Sequence, residues 1–387
     1  MAARILIRWL TLLSVLVVSG GIASAAATNW QSAGMGDWFL GTNWDGVVPT
    51  GGITVAVNNG GAAQVGAGSA HALALEIGAA LENTSSGTVT AVGGSLTAPS
   101  LYIGTATATG SNTASGTGLL QMSDTDFSAS ALLQIGVTSA TDSGSAAVST
   151  GQATLAGGTG AVGGLQAGVA VGRGQQAADG ILRFEDVAFT GTGSWTIGNA
   201  VRTDGGGGTV AVNRAEVVID GDDASTANLT SLSVGSAGAN RGAASANASF
   251  SFTGQSVTTG SLSVGTVSAG SEGGSAQVHE ASAAFDADLI VTGNASVGTG
   301  YSENSAGVEN AGLTIAPGRR FEVGGGLAVG SGSVGGRTGT LSIMSPAVTL
   351  GDGADLSVGG LLTIGQVHGG SYRSVSVEDA HLTQEGR

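Results

Sequence analysis

A four-residue phrase recurs along most of the chain, and its spacing limits the folds that the chain can adopt. The phrase has the form Φ-x-[IV]-G, where Φ is usually leucine. Its ten copies lie at residues 75–78, 101–104, 133–136, 169–172, 195–198, 232–235, 262–265, 295–298, 327–330 and 362–365. Their final glycines are 26 to 37 residues apart. A near-constant period of this length is typical of an architecture in which one structural unit stacks on the next.

Each period contains apolar residues in pairs at positions i and i+2, such as Leu341/Ile343 and Leu356/Val358. This spacing places both side chains of a pair on one face of a strand. We expect about three short strands per period, with corners between them. Glycine ends every phrase, and glycine allows the positive φ angle of a sharp turn. The Gly-, Ser- and Ala-rich segments after the phrase are expected to be solvated loops.

Short strands repeated at this period predict an all-β, right-handed parallel β-helix, or solenoid, of about ten repeats of roughly 32 residues. If each repeat makes one or two coils, the rod is roughly 50–100 Å long. An antiparallel sandwich is the competing fold, but it does not require one phrase at a constant spacing.

The composition agrees with a stack of small side chains and narrows the range of partners. The chain of 387 residues has 71 Gly, no Cys and only 4% aromatic residues, while 41% of its residues are hydrophobic. The net charge is −15, which argues against a nucleic-acid partner because phosphates require a basic surface. No cofactor is predicted.

Residues 1–25 have the pattern of a cleaved secretory signal peptide, with Arg4 and Arg8 before an apolar segment and cleavage near Ala25–Ala27. No later segment is apolar enough to span a membrane. Residues 28–65 form a separate unit that contains Trp30, Trp38 and Trp44. We expect this unit to cap the first coil, since an open sheet edge promotes aggregation; the alternative is a platform on which sugars stack.

The solenoid is expected to fill residues 66–387, and the pattern stops abruptly in HLTQEGR, residues 381–387. The W…GDW…NWDGVVP stretch followed by the phrases resembles bacterial surface proteins with the Gly-rich repeat shared by autotransporters (type V secretion) and PEP-CTERM proteins. This resemblance implies a parallel β-helix that is exported through the inner membrane of a Gram-negative bacterium to the outer surface or extracellular matrix. It implies no defined enzyme activity. Neither the translocator barrel nor the sorting motif of these groups occurs by Arg387, so the sequence is expected to be truncated before such a region.

Catalytic motifs are weak. The four His residues are scattered and there is no Cys. β-Helix polysaccharide lyases and hydrolases use paired carboxylates, and the candidates here are Asp220, Asp222, Asp223, Asp286 and Asp288. We expect these side chains to face solvent or turns. GDGADLSVGG, residues 351–360, resembles a calcium-binding nonapeptide but occurs once, whereas that motif needs tandem copies.

Five arginines follow the phrase in its variable segment: Arg173, Arg202, Arg241, Arg337 and Arg373. In a solenoid these segments leave at one corner, so the sequence predicts a sparse cationic row that meets an anionic polysaccharide or another cell-surface glycan. The alternative is a role in solubility alone. The sequence therefore predicts a non-enzymatic surface or matrix protein with an adhesive role, in which many weak contacts act along one rod. The alternatives are a β-helix carbohydrate-active enzyme and a stalk that binds nothing.

Overall fold

The computed structural model describes residues 27–203, 208–335, 339–368 and 374–384. These residues form a parallel β-solenoid of about 9 turns, so the predicted fold class is confirmed. The predicted signal peptide lies outside the described residues. None of the described segments forms a helix that could cross a membrane.

The elements begin with short strands and become long strands that bend around several sides of the solenoid. They are β1 (Ala27–Asn29), β2 (Met35–Asp37), a 3-10 turn (Gly41–Asn43), β3 (Thr54–Val57), β4 (Asn59–Val65), β5 (Ser69–His71), β6 (Ala74–Ile77), β7 (Ala80–Leu81), β8 (Thr84–Val92), β9 (Ser95–Thr97), β10 (Ser100–Ile103), β11 (Ala106–Ala108), β12 (Thr113–Ala140), β13 (Ala146–Gly172), β14 (Gln175–Arg202), β15 (Thr209–Gly221), β16 (Thr226–Ala239), β17 (Gly242–Thr259), β18 (Leu262–Ala269), β19 (Gly274–Val291), β20 (Ala295–Ser302), β21 (Ser305–Ile315), β22 (Arg320–Val323), β23 (Leu327–Val334), β24 (Thr340–Met344), β25 (Pro346–Leu350), β26 (Asp355–Val358), β27 (Leu362–His368), β28 (Ser374–Glu378) and β29 (His381–Gln384).

Each repeat makes one coil, and each complete coil has four faces rather than the three expected. Face 1 is the strand of the phrase, face 2 follows its glycine, face 3 is the longest, and face 4 leads back to the next phrase. In β12, for example, the four faces are residues 132–135, 137–140, 113–123 and 125–129. With about 9 turns at a spacing of about 4.8 Å, the rod is about 40 Å long. This lies just below the predicted range, whose lower end assumed one coil in each of ten repeats.

The fourth phrase was assigned wrongly from the sequence. Leu133 pairs with Leu165 and Ile135 with Ala167, so the fourth copy is LQAG at residues 165–168, and VAVG belongs to face 2. With this correction the two irregular steps of 36 and 26 residues become 32 and 30. The ten phrase glycines then all have positive φ, between 57° and 68°, as the turn at the end of face 1 requires.

The phrase glycines lie against face 3 on the inner side of the solenoid, at a contact that we call the waist. A Cβ on Gly136 would lie 1.7 Å from the Asp179 carbonyl oxygen, and a Cβ on Gly151 would lie 2.4 Å from the Gly136 nitrogen. Small residues follow one another at this point of face 3 in successive coils: Gly118, Gly151, Gly180, Ala215, Ala248, Ala281, Ala311 and Pro346. Only small residues allow the two walls to approach this closely.

In the early coils the waist lies between a large core and a narrow second one. The large cluster is continuous from Trp30 to Ala354. The narrow cluster consists of alanines from faces 2 and 3: Ala80, Ala106, Ala108, Ala114, Ala140 and Ala147. The segments after the phrase are therefore not wholly solvated loops, because they begin with face 2 strands whose inward side chains are buried, in the narrow cluster in early coils and in the large cluster in later ones.

Aromatic residues fill the large core at the middle of the rod and at its first coil. Phe189 contacts Phe184 and Trp195 at ring-centroid distances of 5.1 and 5.8 Å. In the first coil, Trp44 meets Trp30 and Trp38 edge to face at 4.9 and 5.0 Å. All three of these tryptophans are buried, so they cover the end of the core and leave no ring face on which a sugar could stack.

Candidate functional site

The described arginines of the predicted row do lie at one corner, the turn between faces 2 and 3. Arg173, Arg202 and Arg241 occupy this turn in three consecutive coils, because Gly172 pairs with Arg202 and Arg202 with Ala239. Arg337 and Arg373 lie outside the described residues. The three arginines share this position but differ in their exposure to solvent.

Arg202 does not belong to an exposed row. Its side chain is buried, with 1% of the residue accessible, and its Nη1 donates a hydrogen bond to the Gly174 carbonyl at 2.6 Å. Burial lowers the pKa of this guanidinium from its ordinary value. The side chain points inward because Ala200 and Arg202 occupy the same alternate positions as Ala237 and Ala239 of the next coil.

The two exposed arginines lie beside carboxylates. Arg241 Nε is 2.8 Å from Glu272 Oε2. Arg173 lies near Asp142, whose pKa is held below its usual value by hydrogen bonds from the Thr141 side chain and the Gly110 amide, and by the charge of Arg173. Among the described residues, the charge of the exposed arginines at this corner is therefore locally balanced.

The acidic candidates lie at a different corner, between faces 3 and 4, where they stabilise turns. Asp286 and Asp288 share the outward side of β19. Asp286 Oδ1 accepts a hydrogen bond from Arg319 Nε at 2.9 Å, and Asp288 Oδ1 accepts one from the Arg320 amide at 3.0 Å. The pair is thus held by the turn of the next coil.

The other three acidic candidates, Asp220, Asp222 and Asp223, occupy the same corner two coils earlier. Asp222 accepts hydrogen bonds from the Ser225 hydroxyl at 2.8 Å and from the Ala224 amide at 3.1 Å. This is the geometry of a local turn in which an aspartate accepts from the residues that follow it.

The GDGADLSVGG segment begins at this same corner between faces 3 and 4, in a later coil. The Gly318 amide donates to the Asp352 carbonyl at 2.9 Å, and the Asp355 amide donates to the Arg319 carbonyl at 3.1 Å. The segment therefore stacks on the preceding coil as an ordinary turn. Within the described ranges, no group of three or more His, Asp or Glu side chains is arranged to hold a metal ion.

An open cavity of about 470 Å³ lies on the outer side of face 3, where the strands bend toward the waist. Polar residues of four coils line it: Asn213, Arg214, Asn247, Ser249, His279, Glu280, Glu309 and Asn310, together with Ala215 and Ala248. The Glu309 carboxylate is already engaged, because His279 Nδ1 lies 3.0 Å from it and Gln277 donates to it. Arg214 pairs with Glu216, which also pairs with Arg183.

Faces 1 and 2 form a surface of a different kind, which we call the neutral flank. Across eight coils they comprise residues 100–108, 132–140, 164–172, 194–202, 231–239, 261–269, 294–302 and 326–334. These stretches contain one charged residue, the buried Arg202. Their outward side chains are mostly hydroxyls and amides, so the charge of this acidic protein is carried by other parts of the cross-section.

At the phrase glycines the corner between faces 1 and 2 turns inward toward face 3, and we call the line of these corners along the neutral flank the flank groove. One wall is the middle residue of each phrase, and the other is the residue after its glycine. Val137 and Val169 point outward, because they alternate with inward side chains, and they belong to neither core cluster. Each is nevertheless only 5% exposed. Gln134 is 7% exposed and donates to Gln166 at 2.7 Å. These outward side chains are covered because the corner turns inward at the waist.

The side chains that line the groove change in size along its length. Glutamines fill it at residues 134 and 166, whereas small residues line it in later coils: Thr196, Ser233, Ser263, Ser296 and Ala328 on one wall, and Asn199, Ser236, Thr266, Thr299 and Ser331 on the other. Some hydroxyls pair between coils, since Ser236 donates to Asn199 at 2.7 Å. The Thr266 hydroxyl oxygen is buried and has no hydrogen-bond partner.

The sequence analysis did not predict this flank, because the flank lacks the charged and catalytic residue types that usually indicate a site. The signal that could have identified it is an absence of charge. Nine-residue stretches that begin just before each phrase are uncharged in seven of eight consecutive coils, although the chain carries 27 acidic residues.

Comparison of the chain with protein-family models, with curated proteins and with solved structures found no match.

Proposed function

We propose that this protein is a non-enzymatic structural repeat protein of the bacterial surface or extracellular matrix, which holds extended cell-surface polymers through many weak contacts. The observation that carries the proposal is the regular outward pattern of the solenoid. Equivalent polar side chains recur once per coil, as in the series Thr196, Ser233, Ser263 and Ser296. A linear polymer of repeating units can meet such a surface at several points at once, and linked contacts strengthen one another.

Export supports the same proposal. Residues 1–25 have the pattern of a signal peptide, and the phrases with the Trp-rich stretch resemble autotransporter passengers and PEP-CTERM proteins. The mature protein would then lie at the outer surface of a Gram-negative bacterium or outside the cell. Fractionation of cells that express the tagged gene tests this location. Retention of the full-length precursor in the cytoplasm would contradict it.

Multivalent binding makes a direct prediction about ligand length. The purified protein is immobilised, and binding of bacterial surface polysaccharide is competed with oligosaccharides of increasing length cut from the same polymer. Under the proposal, affinity rises steeply with each added unit until the oligosaccharide spans the available coils. Competition by a single sugar as strong as that by the long oligomer would contradict the proposal, because it indicates one isolated site.

A carbohydrate-active enzyme is the second candidate, and the face 3 cavity favours it more than the corner aspartates do. Glu280 and Glu309 both line this cavity, and paired carboxylates are the groups that cleave glycosidic bonds. Incubation with a polysaccharide panel followed by assay of new reducing or unsaturated ends tests the idea. Product that disappears in Glu280→Gln and Glu309→Gln variants would favour the enzyme; no product from any polymer would favour the binding role.

A further inference from the structure

The flank groove differs from the rest of the surface in two respects, its charge and its regularity. From Thr196 to Ser331 its walls carry hydroxyl groups, one amide and one alanine, with no ionised side chain. Hydroxyl and carboxamide groups both donate and accept hydrogen bonds. They therefore match the hydroxyl groups of a sugar, which also donate and accept.

The net charge of the protein favours an uncharged polysaccharide over an anionic one. A net charge of −15 repels polyanions at long range, and the described arginines that would have attracted one are buried or lie beside carboxylates. An uncharged polymer meets no such repulsion. It also does not require removal of water from an ion, which is the large cost of burying a charge.

The spacing of the groove suits an extended chain. Its wall residues repeat once per coil, about 4.8 Å apart, which is close to the length of one hexose unit in an extended polysaccharide. The small-residue part covers five successive coils, from Thr196 to Ala328. Such a groove can offer one set of hydrogen-bonding groups to each of several successive sugars.

A second copy of the protein is a poorer occupant. Among the described residues of the small-residue part, from Thr196 to Ser331, no large apolar side chain is exposed. Stable protein–protein interfaces bury an apolar centre with aromatic and aliphatic anchors. The groove has hydrogen-bonding groups in place of such anchors.

We propose that the small-residue part of the flank groove is the binding site for a neutral, unbranched polysaccharide, with about one sugar unit per coil. This inference rests on the proposed function, because it names the ligand class and the surface that the multivalent binding would use. Gln134 and Gln166 mark the end of the site, since their side chains fill the groove and bond to each other at 2.7 Å.

The chain itself suggests the variant that tests the site. The double substitution Ser233→Gln and Ser263→Gln copies the Gln134–Gln166 arrangement into two neighbouring coils that pair in the same register. It should fill the groove without disturbing the core. The matched control is Ser251→Gln with Ala284→Gln, which adds two glutamines to neighbouring coils on the outward side of face 3.

Binding of the full-length mature protein is measured by affinity electrophoresis in gels that contain a neutral unbranched glucan or mannan, or a uronate polymer. We expect the unmodified protein and the control to be retarded by a neutral polymer, and the groove variant to lose affinity at least tenfold. Circular dichroism and the denaturation midpoint verify that both variants fold.

Each other outcome has a defined meaning. Equal binding by the folded groove variant and the unmodified protein would overturn the assignment of the groove and leave the proposed function standing. Retardation by the uronate polymer alone would overturn the neutral ligand class. Failure of the unmodified protein to bind any polymer would overturn both proposals, and dimerisation that the groove variant abolishes would assign the groove to a second copy instead.

Discussion

Gly235 lies against Ala281 across the waist, and a Cβ on Gly235 would lie 2.5 Å from the Cβ of Ala281. Gly235 also has a φ of 67°, a conformation that favours glycine over all other residues. The phrase glycine is thus required twice, once by its backbone angle and once by the neighbouring wall. This double requirement explains why glycine ends every copy of the phrase, whereas the preceding residues vary.

Replacement of this glycine is the first test. Gly235→Ala should destabilise the protein by more than about 2 kcal/mol, because the left-handed backbone costs about 1–2 kcal/mol and the crowded Cβ adds a cost of about 1–3 kcal/mol. Urea denaturation monitored by circular dichroism measures the change.

Two other glycines separate the two effects. Gly273 has a φ of 87° but no atom within 4 Å of its would-be Cβ, and Gly312 also has open space there without a positive φ. We expect Gly273→Ala to cost about 1 kcal/mol and Gly312→Ala to change stability by less than about 0.5 kcal/mol. Equal effects of all three substitutions would refute the role of the waist.

The tryptophan cap gives a second prediction. Trp44 contacts both Trp30 and Trp38 and donates from Nε1 to the Trp38 carbonyl at 2.7 Å. Trp44→Ala should cost about 3–5 kcal/mol locally and increase hydrogen exchange in the first two coils. The control is Met35→Ala, because Met35 is 68% exposed. Unchanged exchange in the Trp44 variant would mean that the aromatic cluster does not hold the end of the core.

A half-buried carboxylate in the coil before the neutral flank, Glu76, gives a prediction about pH. Burial raises the pKa of Glu76 above its ordinary value, against a weak hydrogen bond from Asn58 that lowers it. The folded protein therefore binds this proton more tightly than the unfolded chain, so ionised Glu76 reduces stability at neutral pH, and this loss disappears on acidification.

Glu76→Gln should accordingly raise the melting temperature at pH 7 by on the order of 1–2 °C, and the gain should vanish below about pH 4, the range of the unperturbed carboxyl. Glu185→Gln serves as the control, because Glu185 is exposed at the corner between faces 3 and 4. A gain that persists unchanged at low pH would exclude the ionised carboxylate as its cause.

The arginine corner gives a prediction of no effect. Because Arg241 pairs with Glu272 and Arg173 lies near Asp142, Arg173→Gln with Arg241→Gln should leave polysaccharide affinity within about twofold. Affinity electrophoresis in the same gels measures it. A tenfold loss in this variant would restore the cationic row as the binding surface.

The repeat phrase was sufficient to predict the parallel solenoid, because a regular period of i, i+2 pairs has few other solutions. It was not sufficient to set every register. Val169–Gly172 fits the phrase better than 165–168 does, but Leu165 stacks between Leu133 and Trp195, and only this stacking identifies the true copy.

Face 2 and the waist could not be predicted from the sequence either, because they too depend on pairing between neighbouring coils. Strand residues such as Ala106, Ala108 and Ala140 have weak intrinsic strand preference, so their segments look like loops. They become strands because the coils above and below pair with them. The inward orientation of Arg202, by contrast, could have been predicted from the sequence, because Arg202 lies two residues after Ala200 and therefore faces the same side of the strand.

The most direct test of the central claim is the distance between equivalent flank positions in successive coils. The chain has no Cys, so spin labels can be attached to cysteines introduced at Tyr102 together with Ser263, Ser296 or Ala328, and electron paramagnetic resonance measures the separation. One coil per repeat predicts Cα separations of about 24, 29 and 34 Å, which increase by about 4.8 Å at each step. Distances that fail to increase by this constant step would contradict the stacked-coil account and, with it, the continuous groove.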